Sequence, residues 1–137
     1  VKTYLDRLKY ALGQSDSRII FQEYRMVDEN RPIEYTNRYT IASLFSDESP
    51  SKVMRRELKK LKVNEYMHTV KDLKFKNRSD MFVFAKKYTG FVYIKIRTEL
   101  ISKQHTSNYV FVMSFHFSDK PIKNKYFPYK KKGEKNE

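Results

Sequence analysis

The sequence predicts an α+β fold in which N-terminal helices pack on a twisted antiparallel sheet that ends in a three-stranded meander. Two stretches of the first 62 residues repeat apolar side chains at helical spacing, and the second half carries runs that alternate apolar and polar side chains with the period of a half-buried strand. A length of 137 residues suits one domain, able to bury roughly two-thirds of its unfolded surface in a single core. Residues 1–118 are assigned to that domain, with 27–48 as a partly ordered insertion and 119–137 as a basic, mobile tail that packs little.

Each element has its own signal. Tyr4, Leu5, Leu8, Ala11 and Leu12 predict an amphipathic helix over Thr3–Leu12, with Gly13 as a glycine cap. Arg18–Met26 reads as a strand of incomplete alternation. From Val27 to Glu48 the chain is polar, with Asn30, Pro32 and Asn37 as turn formers, and only Tyr39–Phe45 is apolar enough for a short strand or helix. Ser49-Pro50 is a helix start, a capping hydroxyl before proline at the first helical position, and Val53, Met54, Leu58 and Leu61 form the apolar stripe that follows. Lys62–Ser79 is mixed and basic and reads as a loop holding Tyr66, His68 and Lys71. Met81–Tyr88, Phe91–Leu100 and Asn108–Phe117 are the strands of the meander, joined by a turn at Thr89-Gly90 and a loop at 102–107. In the last strand Phe111, Phe115 and Phe117 alternate with Val110 and Val112, as in a central strand covered on both faces.

Composition narrows the chemistry. There is no cysteine, and three scattered histidines lack HxH or HExxH spacing, so neither a disulfide framework nor a metal site is expected, and no cofactor is called for. No apolar run approaches the roughly 18 residues of a membrane span, and VKTYLDRLKY has no apolar stretch of a secretory signal, so the expected location is cytoplasmic. The net charge of +13 is uneven: residues 1–49 hold 7 Lys+Arg against 8 Asp+Glu, whereas 50–100 hold 14 against 5 and 119–137 hold 7 against 3. Such a basic half attracts polyanions, nucleic acid first and acidic proteins or anionic membrane second, because phosphate neutralisation releases counterions. With 11 Tyr and 10 Phe, many beside Lys or Arg, the chain has rings for base stacking next to phosphate contacts, although most belong to the core.

The chemistry gathers in Phe91–Phe117. Val92, Ile94, Ile96, Thr98 and Leu100 alternate with Phe91, Tyr93, Lys95, Arg97 and Glu99, one face for the core and one for function. In the simplest hairpin register Leu100 faces Tyr109, Tyr93 faces His116 and Lys95 faces Ser114. A phenol, an imidazole and an ammonium, with Arg97 one outward position on, are the groups needed to take a proton from a ribose hydroxyl, protonate a leaving oxygen and hold a phosphate. A cationic patch is expected to lower the pKa of both His116 and Tyr93, favouring an imidazole base and an accessible phenolate. The alternative is that His116 is a satisfied strand histidine, Tyr93 an edge residue, and Lys95 and Arg97 solvated cations. On the helix after Pro50, Lys52, Arg55, Arg56, Lys59 and Lys60 form either a solvated face or one that contacts phosphate or a partner. His105, in the loop, is expected only to be exposed.

With these elements in place, residues of roughly 49–130 resemble the MqsR family of toxin–antitoxin ribonucleases. The carriers are SPSKVMRRELKKLKVNEY, MFVFAKKYTGFVYIKI, the SFHF strand and the trailing YFPYK. The resemblance implies the small α+β fold of RelE-type toxins, whose exposed sheet face binds and cleaves RNA. It implies that the family tyrosine of the VYLKI-type strand falls on Tyr93, and the lysine of its SFK pattern on His116. The family glutamine of the preceding strand falls near Ala85 or Lys86, which makes Lys86 the residue to inherit its role. The lysine that follows a tyrosine in the preceding loop falls on Met67, after Tyr66, with His68 as the nearest substitute.

The expectation is therefore a metal-independent endoribonuclease, an mRNA interferase toxin inhibited by a cognate antitoxin protein, cleaving RNA by attack of its own 2′-hydroxyl. His116, Tyr93, Lys95 and Lys86 are the expected catalytic residues. Arg97, Lys87, Tyr66, His68, Arg55, Arg56 and Lys59 are the expected RNA contacts. Two other readings are a non-catalytic RNA- or DNA-binding module on a RelE-like sheet, and an interaction protein whose basic helix 50–62 docks an acidic partner.

Overall fold

A computed structural model of the chain describes residues 1–14, 17–23, 25, 29–71, 80–100 and 108–130. Three helices, α1 (Lys2–Gly13), α2 (Asn37–Leu44) and α3 (Pro50–Leu58), accompany five strands, β1 (Arg18–Phe21), β2 (Tyr66–Val70), β3 (Met81–Lys87), β4 (Phe91–Leu100) and β5 (Asn108–Phe117). The class is α+β. The sheet order is β1-β5-β4-β3-β2, antiparallel throughout except that β1 runs parallel to β5, so the sheet is mixed rather than antiparallel.

Helix α1 buries Leu5, Leu8, Ala11 and Leu12, the apolar stripe of its sequence, against the sheet and α3. It runs one residue past the expected end: Gly13 is the last helical residue and the cap is Gln14 in an extended conformation, its N–H bonded to the Ala11 carbonyl. Helix α3 starts at Ser49-Pro50 as expected, with proline supplying the preset φ, but the Ser49 hydroxyl makes no capping bond; the helix buries Val53, Met54 and Leu58. Ring stacking of Tyr4 on Phe82, at 3.7 Å, and a Tyr4–Thr98 hydroxyl bond of 2.9 Å bind α1 to the sheet. On this inner face Phe84, Val92, Ile94, Ile96, Val110, Val112 and Phe115 complete the core.

Two readings change. Tyr66–Val70, expected as a loop, is strand β2, antiparallel to β3, with the Tyr66 ring packed against Phe82 and Phe84 of that strand. The insertion is built in: among its described residues, Ile33–Tyr35 form a 3-10 turn and α2 covers the edge of β5, with Ile41 buried in the core. Strand β1 ends at Phe21, opposite Val112, short of the expected Met26, and beyond that point α2 takes its place. Asn37 Nδ2 donates to the carbonyls of Gln22 (2.6 Å) and Met113 (3.1 Å), its Oδ1 accepts from Phe115 N (2.9 Å), and Thr40 Oγ1 accepts from Phe117 N (2.9 Å). Side chains thus satisfy edge amides and carbonyls that a neighbouring strand would otherwise pair.

The Asn37 contact falls on a β-bulge. Lys95 pairs with Ser114 but Ile96 pairs with Val112, leaving Met113 as the extra residue of β5. Tyr93 faces His116 and Lys95 faces Ser114, as the simple register requires, but beyond the bulge the register slips by one and Leu100 faces Asn108, not Tyr109. The slip turns Val110 and Val112 inward with Phe115, and sends Phe111 outward against Arg97. The loop at 102–107 and His105 lie outside the described residues.

Residues 119–130 pack more than a mobile tail would. Asn124–Tyr126 form a 3-10 turn, Phe127 is 3% exposed, and its ring stacks on Phe91 with centroids 6.1 Å apart.

Candidate functional site

The outer face of β4 and β5, away from α1 and α3, holds the site. Alternation places Tyr93 and Lys95 on that face of β4, and the register sets His116 and Ser114 beside them on β5. Of the residues between β1 and α2, Arg25, Arg31, Pro32 and Tyr35 line this face, while Ser118 and Asp119 close the end beyond β5. The result is a cleft of about 420 Å³.

Within it, the Tyr93 and His116 rings lie nearly parallel, at 26°, with centroids 5.4 Å apart. His116 Nδ1 lies 3.0 Å from the Phe117 carbonyl. A carbonyl only accepts, so Nδ1 carries the proton and the lone pair of the neutral ring sits on Nε2. Arg25 Nη1 donates to Ser114 Oγ at 3.0 Å, and Arg31 Nη1 to the Tyr35 carbonyl at 3.4 Å, which hold two guanidinium groups at the cleft.

Electrostatics separates the roles. Burial holds Lys95 below the usual lysine value, and the charges of Arg25 and Arg31 lower it further, since each makes a third positive charge costlier. Burial pushes the Tyr93 phenol up, outweighing the opposing charge of Arg25. The expected phenolate is therefore corrected: desolvation dominates over the cationic patch, and Tyr93 is a protonated phenol at neutral pH.

The other expected residues are dispersed. Lys86 pairs with Val92, which points inward, so it lies on the opposite side of the sheet from Tyr93, and its ammonium meets Glu65 Oε2 at 3.1 Å. It does not join the cluster. Ala85, by contrast, sits directly opposite Tyr93 and has no functional group to offer. Tyr66 turns inward against Phe84, whereas His68, opposite Val83, lies on the outer face and is exposed, beyond a bulge at Met67. Lys87 shares the outer face with its Nζ 4.9 Å from the Phe91 ring centroid. Arg97 is on the predicted face but only 4% exposed, lying over the Phe111 ring at 4.7 Å.

The α3 cations belong to the other side of the molecule. Arg55 donates to the carbonyls of Leu12 (2.7 Å), Gln14 (3.0 Å) and Ser17 (2.9 Å) and to Ser17 Oγ (2.8 Å), tying α3 to the α1–β1 connection. Arg56 forms a two-pronged ion pair with Glu48 and, with Lys60 and the Tyr88 hydroxyl, surrounds the buried carboxylate of Glu57. Burial would push Glu57 up, but those three partners hold it below the usual carboxylate range. Lys59, the residue that caps the C-terminus of the same helix, is exposed. Helix α3 and the cleft therefore do not form one surface.

Arg31 and Tyr35 went unrecognised because they lie in polar chain without periodicity, and Arg25 because it falls near the end of a stretch read as a strand of incomplete alternation. Among the described residues, no group of three or more His, Asp or Glu is placed to hold a metal ion, and no helix is long and apolar enough to cross a membrane. No family model, curated protein or solved structure matches this chain.

Proposed function

We propose that the protein is a metal-independent endoribonuclease acting through the Tyr93–His116–Lys95 cleft. The observation that carries this reading is one cleft in which a stacked phenol–imidazole pair adjoins a lysine of lowered pKa and two arginines. His116 Nε2 takes the proton of the 2′-hydroxyl, whose oxygen bonds to phosphorus as the bond to the 5′-oxygen breaks. Lys95, whose lowered pKa makes it the better acid of the two candidates, gives its proton to that leaving oxygen. Tyr93 orients the imidazole by stacking and can donate a hydrogen bond to a phosphate oxygen. Arg25 and Arg31 stabilise the charge that develops on the phosphorane. The products are a cyclic phosphate and a 5′-hydroxyl.

The resemblance to MqsR supports the finer reading: a RelE-like sheet and a toxin held inactive by an antitoxin, an acidic surface of which would cover the cleft. Since Lys86 faces away and Ala85 is inert, this reading places the acid on Lys95 and not on the strand before it.

The test is incubation with labelled single-stranded RNA in excess EDTA, mapping product ends for wild type, His116→Ala, Lys95→Met and Tyr93→Phe. Cleavage to cyclic-phosphate ends should persist, fall by about 10²-fold or more in the first two variants, and fall less in the third. Binding without cleavage, on free RNA and on translating ribosomes alike, would instead favour a non-catalytic RNA-binding module.

A further inference from the structure

We infer that the turn at 124–129 is a base-stacking platform that extends the cleft and guides single-stranded RNA away from it. The inference rests on reading the cleft as an RNA site, but it concerns a different surface. Phe91 is the next residue towards the start of β4 on the same face as Tyr93, about 7 Å along the strand. Phe127 stacks on it, Lys87 Nζ lies 4.9 Å from the Phe91 centroid and Lys130 Nζ 4.5 Å from that of Phe127, so a line of rings and cations leads from the cleft to the turn.

At the far end of this line Tyr126 and Tyr129 are each 52% exposed, flanking the buried Phe127 on either side in sequence. The turn is held by its backbone, Tyr126 N bonding the Lys123 carbonyl, Phe127 N that of Asn124 and Lys130 N that of Phe127, all at 3.0–3.1 Å, and by the buried Phe127; the Tyr126 side chain is not part of that anchor, whereas Tyr129 rests one face on Tyr66, centroids 5.7 Å apart, and keeps the rest of its ring exposed. Exposing two large rings costs apolar surface that a purely structural turn could avoid. The same stretch, residues 119–130, carries the exposed Lys120, Lys123 and Lys125 against the single acid Asp119, while the Lys130 ammonium is buried; Lys125 Nζ lies 5.3 Å from the Tyr126 centroid.

Exposed rings interleaved with cations match the chemistry of a single strand, whose unpaired bases stack while its phosphates need neutralising. An acidic protein would be drawn by the lysines but would find no use for rings held beside them, and a duplex hides its base faces. The geometry thus favours single-stranded RNA as occupant, with roughly one base for each exposed tyrosine.

The experiment measures affinity of the full chain for a 2′-O-methyl oligouridine, which binds but lacks the attacking hydroxyl, with a duplex of equal length in parallel. Tyr126→Ala with Tyr129→Ala should weaken single-strand binding about tenfold or more and leave duplex binding little changed, and Tyr126→Phe with Tyr129→Phe should restore it. Tyr129→Ala also removes a contact with Tyr66, so Tyr126→Ala alone is the control for folding: it should weaken single-strand binding by itself, and unchanged affinity in that variant would also overturn the inference. Equal single-strand affinity in wild type and the alanine variant would overturn the inference even if the enzyme cleaves RNA. Conversely, tyrosine-dependent binding with no cleavage of an unmodified strand would uphold the platform while refuting the ribonuclease assignment.

Discussion

Lys95 shows how one side chain takes its role from its surroundings. On the sequence it is an outward strand lysine among several, but in the fold it is half-buried beside Arg25 and Arg31, and both facts favour losing its proton. A lowered lysine value means that the ammonium deprotonates at lower pH than an exposed lysine would. If Lys95 is the acid, cleavage should therefore decline on the alkaline side before an ordinary lysine titrates. Arg25→Gln removes one repelling charge and should move that decline to higher pH. Lys95→Arg, with a guanidinium that stays protonated, should slow cleavage and abolish the decline altogether. A pH–rate profile with the same alkaline limb in all three proteins would reassign the acid. Linkage gives an independent check with the same sign: the folded chain holds this proton less tightly than the unfolded one, so Lys95 makes stability rise with pH between its lowered value and the usual lysine value, and Lys95→Met should flatten that rise.

At the scale of elements, the bulge in β5 decides which side chains share the cleft. Val110 and Val112 belong to the core on one side of Met113, and Ser114 and His116 to the cleft on the other, with no change of face on β4. Asn37, 1% exposed, holds the bulge from outside the sheet through its bonds to Met113 O and Phe115 N. Asn37→Ala should strand the buried Phe115 N–H and the partly buried Met113 carbonyl, leave the Gln22 carbonyl to water, and cost about 2 kcal/mol in a denaturant titration, at roughly 1 kcal/mol for each stranded group. Asn37→Asp keeps the acceptor for Phe115 N but turns a second acceptor oxygen onto the Gln22 and Met113 carbonyls at a buried position, so it should destabilise at least as much. If Asn37→Ala unfolds at the same denaturant concentration as wild type, the bulge is held by the sheet alone. This element also marks where pattern reading fails. The alternation of β4, the stripes of α1 and α3 and the Tyr93–His116 pairing were legible because each follows from a fixed period and from neighbours close in sequence. The one-residue slip was not, because the residue that holds it sits 76 positions from Met113 in polar chain. For the same reason β2 read as a loop: its burial depends on Phe82 and Phe84 across a connection, and its own five residues alternate poorly.

For the molecule as a whole, the sheet sets the described α3 cations and the cleft cations on two different faces. The α3 cations lie on the helical side, where Arg55 is committed to the α1–β1 connection and Arg56 and Lys60 to Glu48 and Glu57. Arg25, Arg31 and Lys95 lie on the open side with His116. If the cleft is the RNA site, a net charge of +13 overstates what one strand can meet there, because the α3 cations, part of the basic 50–100 stretch, lie on the other face. Counterion release separates the two, because only phosphates actually neutralised contribute to the salt dependence of binding. Replacing the exposed Lys52 and Lys59 of α3 by glutamine should leave the slope of log affinity against log salt nearly unchanged. Arg25→Gln and Arg31→Gln should each reduce its magnitude by about 0.7, the value for one single-strand phosphate. The reverse result, a flat response to the cleft arginines and a loss of slope at Lys52 and Lys59, would move the polyanion to the helical side and turn the cleft over to a different ligand.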